Sequence, residues 1–157
     1  MSGLKSVLLA IEHASLRRDE LAKAVARVER SQNFARDQMA QLKGYAGDTD
    51  ARWTGSGARG LSLELVRHQY QFMDRLQQAI ELQSGVLANT ARQLELAKAN
   101  LMQAEIRLSG LNQILKSRQI AMLGQQRRRE QRQTDEFAAL QYTRNRALPM
   151  SGEKHDH

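Results

Sequence analysis

The sequence predicts an all-α fold, an antiparallel two-helix coiled-coil hairpin with an overhanging C-terminal helix. Three observations predict it. Apolar residues recur at alternating steps of three and four through two long stretches, the 157 residues include only seven aromatics, and the one proline is Pro149. Ala, Leu, Gln, Arg and Glu dominate, the mix of long helices rather than of a compact core. No proline forbids helix over the first 148 residues.

The first helix is expected over about 2–53. Heptad steps run from Leu4 to Leu42, and only Arg18 and Gln32 are polar among the twelve positions. A seam sustained for so long signals a coiled coil. Gly44 and Gly47 weaken the last turns, yet Ala46, Thr49 and Trp53 keep the step.

The linker about 54–60 contains "GSGARG", which spells G-x-G-x-x-G. That fingerprint holds a dinucleotide only when a buried strand feeds it within a βαβ unit. The preceding "YAGDTDARWT" has no β-branched run and cannot supply the strand. The glycines Gly55, Gly57 and Gly60 read instead as a hinge, where positive φ angles let the chain reverse without strain.

The second helix is expected over about 61–146. Between Met73 and Gln125 the same steps meet only Gln83, Thr90, Arg118 and Gln125 as polar residues among sixteen. Pairing Leu42 with Met73 sets Met39 on Leu76, Ala35 on Ile80, Gln32 on Gln83 and Val28 on Leu87, and continues to Leu4 on Leu111. This register never opposes two alanines, and it pairs the seam glutamines, which would penalise slipped alignments. Its midpoint falls between Gly57 and Ala58. At 1.5 Å per residue the helices span about 75 Å and about 125 Å, so residues beyond about Leu115 are expected to have no partner. A single hairpin domain over 1–148 and a disordered tail over 149–157 complete the expected organisation.

The overhang, Asn112 to Arg146, holds eight basic residues against three acids, so it carries +5 of the net +7. Its seam degrades, with Arg118, Gln125, Arg129 and Arg132 at core steps. The run "RRREQRQTDEF" could be a solvated face, a nucleic-acid contact or a contact to an acidic protein. No aromatic platform accompanies it for stacking on bases, and a DNA-reading basic helix would continue into a parallel zipper. A protein partner is favoured over nucleic acid.

Chemistry is not indicated. There is no cysteine, and His13, His68, His155 and His157 form no metal-ligand spacing with acids on one helical face. The catalytic motifs G-x-x-x-x-G-K-[ST], G-x-S-x-G and H-E-x-x-H are missing from the sequence. A two-helix hairpin offers no enclosed site in which to shift a pKa. The expectation is a protein that is not an enzyme and binds no cofactor or small-molecule substrate. It carries no signal peptide and no run of about 18 apolar residues, so a cytoplasmic protein, monomeric when free, is expected.

A second stripe flanks the seam near the hinge: Gln38, Leu42 and Tyr45 on the first helix, and Phe72, Leu76, Ala79 and Gln83 on the second. Such a flank can widen the seam or dock another surface.

The chain resembles the flagellar FliJ family through its two long helices, "QMAQLKGY" before the hinge, "YQFMDRLQQAIELQ" after it and "RRREQRQTDEFA" near the C-terminus. The resemblance implies a stalk and adaptor of the flagellar type III export apparatus, coupling a hexameric export ATPase to the membrane export gate and binding export chaperones. Such a protein is cytoplasmic and peripheral to the inner membrane. Gate binding is implied for Gln38, Leu42, Tyr45, Phe72, Leu76 and Ala79, whereas Gln83 stands where the family has histidine and Thr49 where it has a second tyrosine. ATPase-ring binding is expected at Arg127, Arg128, Arg129, Glu130, Gln131, Arg132, Asp135, Glu136 and Phe137. The rival readings are the equivalent stalk of a virulence injectisome and a basic coiled-coil nucleic-acid binder.

Overall fold

A computed structural model describes residues 2–55 and 62–152 of the chain. They form two helices that pack against each other, α1 (Ser2–Gly55) and α2 (Leu63–Gly152), and no strand occurs among the described residues. The chain divides into two compact units, one of residues 12–108 and one of residues 1–11 with 109–157.

The heptad steps become the buried seam. Among the described residues, eight are buried: Val7, Ala14, Val25, Ala35, Met39, Thr90, Ala104 and Leu108. All eight stand at seam positions, and every other seam position from Leu4 to Leu42 and from Met73 to Leu115 is half-buried. A two-stranded coil covers each seam residue from one side only, so small residues disappear and larger ones stay partly wet. Thr90 is the buried polar residue, and its hydroxyl donates to the Leu87 carbonyl at 2.9 Å, which satisfies the group within its own helix. Arg18 occupies a seam step by folding its guanidinium outward onto Asp19, at 2.9 and 3.1 Å.

Within the unit 12–108 the helices run antiparallel. Tyr45 meets Phe72 with ring centroids 6.0 Å apart, and Gln83 reaches Ala35 and Gln38. In one respect the register departs from expectation. The Gln83 amide donates to the Ala35 carbonyl at 2.9 Å and lies 3.5 Å from Gln38 Oε1, rather than meeting Gln32. Side chains tilt toward the N-terminus of their own helix. In an antiparallel pair the two glutamines therefore lean apart, and Gln83 leans into the Ala35 layer.

In the other unit the Arg118 guanidinium donates to the Gly3 carbonyl at 2.9 Å. Helix α2 thus keeps a partner slightly beyond Leu115. A Cβ on Gly3 would come within 3.1 Å of that guanidinium, so the close approach uses the missing side chain. From Lys116 to Ala147 every side chain is exposed, and only Gly124 is half-buried, as an unpartnered helix requires.

The boundaries correct the expected ones. Helix α1 runs through Gly55, so that glycine is helical rather than part of a hinge, and Thr54 back-bonds to the Asp50 and Ala51 carbonyls. Gly57 and Gly60 lie outside the described residues. Helix α2 begins at Leu63 rather than Leu61 because Ser62 caps it: the Ser62 hydroxyl accepts the Leu65 amide at 3.3 Å, and its carbonyl accepts the Val66 amide. Glu64 in the first turn complements the helix dipole. Helix α2 ends at Gly152 instead of about Arg146, passing Pro149, which removes one donor without ending the helix. Of the expected disordered tail, residues 153–157 lie outside the described residues.

Replacing Ser62 by Ala should cost about 1 kcal/mol and speed hydrogen exchange at the Leu65 amide. Unchanged exchange there would show the cap to be idle.

Candidate functional site

The hinge-proximal stripe becomes an open groove inside the unit 12–108. Its volume is ≈ 460 Å³, and it is lined by Gln38, Gln41, Leu42 and Tyr45 from α1 and by Leu76, Ala79, Leu82 and Gln83 from α2. Six of the seven stripe residues line it. The seventh, Phe72, stands at its edge with its ring tilted 58° against Tyr45. Tyr45 is 61% exposed and Phe72 41%, whereas Leu42, Leu76 and Ala79 are half-buried. The groove therefore has a floor of seam residues and a rim of exposed rings.

Two lining residues were missed from sequence: Gln41 and Leu82. Each lies one position further around its helix than the flank, and pairs with a neighbour at three or four residues' spacing. The exposed leucine, 75% open to solvent, was the available signal.

No charged residue lines the groove. Gln83 is held by its contacts to Ala35 and Gln38, so its amide is oriented before anything docks. Such a surface recognises by shape, apolar contact and amide hydrogen bonds. Thr49, beyond Tyr45, is half-buried and lies outside the groove lining.

The second candidate belongs to the other unit. Arg127, Arg128, Arg129, Glu130, Gln131, Arg132, Asp135, Glu136 and Phe137 lie on one uninterrupted stretch of α2 and are all exposed. Their charged side chains make no ion pair or hydrogen bond among the described residues; the ion pairs there are Arg17–Glu20 and Arg18–Asp19. Arg129 also edges a groove with Leu4, Met122 and Leu123, which brings the start of α1 beside the basic run. Phe137 joins Leu140, Gln141 and Arg144 along a further concave strip. A cluster of four arginines, interrupted by Glu130, with exposed apolar side chains nearby suits an acidic protein surface with apolar pockets.

Among the described residues there is no cluster of His, Cys, Asp and Glu able to hold a metal ion, and no helix long and apolar enough to cross a membrane. His13 and His68 are both exposed.

The family model described as the flagellar FliJ protein matches residues 5–147 of this chain. No curated protein and no solved structure matches it. The match takes in both helices, the groove and the basic run, and the two-helix architecture is the one the resemblance implied. The chain belongs to the flagellar FliJ family and is a component of flagellar type III protein export.

Proposed function

We propose that the protein is a non-catalytic coiled-coil stalk that couples the flagellar export ATPase to the membrane export gate. One observation carries the reading most: five of the six residues for which the resemblance implies gate docking, with Gln83 beside them, line a single uncharged groove contributed by both helices. Residues scattered over 45 positions of sequence converge there because the antiparallel register brings Tyr45 to Phe72.

The basic run and the start of α1 form the surface offered to the ATPase ring. Their free guanidinium groups keep their charge unneutralised until an acidic partner arrives, which favours fast, oriented association. Export chaperones are further partners on this reading, and the protein works in the cytoplasm beside the inner membrane.

Gate docking is tested by titrating the cytosolic part of the export gate into the chain. Replacing Phe72 and Leu76 together by Ala should weaken binding by about 2–4 kcal/mol while the helical ellipticity stays nearly constant. Loss of helicity in step with binding would mean that the two residues merely hold the coil together.

A further inference from the structure

The first turn of α1 is a poor helix start left to itself. It holds Gly3 and Lys5 and no acid, so glycine's backbone freedom and a cation at the positive end of the helix dipole both work against it. Yet Leu4, in that turn, is the α1 residue lining the groove of ≈ 810 Å³ beside the basic run. From α2 the groove takes Met122, Leu123 and Arg129 with three glutamines, and Met122 and Leu123 are exposed. When the turn frays, the groove loses its α1 wall.

One contact stands against fraying. Arg118 sits at the α2 seam step just past Leu115, and the Cα–Cβ bonds of α2 tilt toward its own N-terminus, back toward the start of α1. Its side chain is exposed, so no burial fixes it; its guanidinium nevertheless donates to the Gly3 carbonyl at 2.9 Å. The helical pattern pairs that same oxygen with the Val7 amide, and a carbonyl has lone pairs for both donors. The bond from Arg118 is charge-assisted and therefore of the stronger kind. Its approach depends on Gly3, since a Cβ there would lie 3.1 Å from Nη1 of Arg118. The glycine that weakens the turn is thus the residue that admits its clasp. Gly3, Leu4, Arg118 and the groove residues all belong to the unit of residues 1–11 with 109–157.

We infer that Arg118 is a positioning residue for the ATPase contact: by clasping Gly3 it holds the first turn of α1 formed and keeps Leu4 in the groove, so the tip meets the ring already shaped. The inference rests on the ATPase reading above and deepens it. Arg118 lies outside the run 127–137 assigned to the ring, and its part is indirect, through Gly3 and Leu4. A groove formed beforehand leaves no ordering of this turn to be done on docking, which strengthens the contact.

Hydrogen exchange on the full chain alone, and ATP hydrolysis by the hexamer against increasing stalk protein, test it together. Arg118→Ala should speed exchange of the Val7 and Leu8 amides about tenfold. It should also raise the half-maximal concentration for stimulation about threefold with the plateau unchanged, as the formed tip falls to about a third of the population. Arg118→Lys keeps the charge and a donor, and should recover most of both. Gly3→Leu separates the clasp from helix strength. Leucine is the better helix former, but its side chain fills the space of the guanidinium, so exchange and half-maximal concentration should again rise. Arg118 and Gly3 are exposed, so ellipticity should match the parent chain. Unchanged exchange in Arg118→Ala overturns the inference, as does a Gly3→Leu chain whose exchange is unchanged or slower. Faster exchange with an unmoved half-maximal concentration overturns it too, and leaves the ATPase reading standing. A parent chain that stimulates nothing refutes that reading and takes the inference with it.

Discussion

Reversing Arg127, Arg128 and Arg129 together to Glu should abolish stimulation of the export ATPase, raising the half-maximal concentration by at least about a hundredfold. The change turns three cations into three anions on a stretch of α2 where every side chain is exposed. No intramolecular ion pair is lost among the described residues, so the fold has no reason to respond. Each close charge pair across a protein interface is worth about 1.5–7 kcal/mol, and reversal adds repulsion to the lost attraction. Two such pairs already account for the expected shift. The wild-type stimulation should also weaken with added salt, because the Debye length contracts to about 8 Å near physiological ionic strength. The check is ATP hydrolysis by the hexamer against increasing stalk protein, with ellipticity measured in parallel. Full stimulation by the triple variant would remove the basic run from the ATPase contact.

Replacing Ala35 by Asp should be the most destabilising single exchange in the unit 12–108, by about 3 kcal/mol or more. Ala35 is 3% exposed, the most closed of the buried seam residues. A carboxylate there has a side chain too short to reach water, and no cation stands at a neighbouring seam position to pair with it. The same layer receives the Gln83 amide, so the exchange also disturbs the contact that orients the groove. Phe34→Asp is the matched control one residue away. Phe34 is 64% exposed, and its loss should alter stability by less than about 0.5 kcal/mol. Urea unfolding followed by ellipticity measures both. Equal midpoints for the two variants would mean that the heptad seam is not what holds the helices together.

Much of this was readable from residue order because a coiled coil is governed by local periodicity. Once apolar residues recur at steps of three and four, the helix must bury that line, and the burial of Val7, Ala14, Val25, Ala104 and Leu108 follows. Met122 and Gln125 are exposed at the same steps because α1 no longer covers the seam there. The basic run is likewise a property of sequence, since its charge is set by composition and nothing in the fold neutralises it. The flank residues Tyr45 and Phe72 could be placed because flank and seam are adjacent on a helix of known pitch.

Sequence by itself therefore determined the helices, the face each one buries and the stretch left bare, since all three depend on spacing along one chain. Tertiary structure alone decided what depends on direction between the two helices. Opposed helices tilt their side chains oppositely, so Gln83 bonds the Ala35 carbonyl rather than Gln32. The same geometry lets Arg118 hold the first turn of α1, and lets Gln41 and Leu82 turn a flank into a groove. A heptad states which residues face inward; only the packed pair states which atoms they meet.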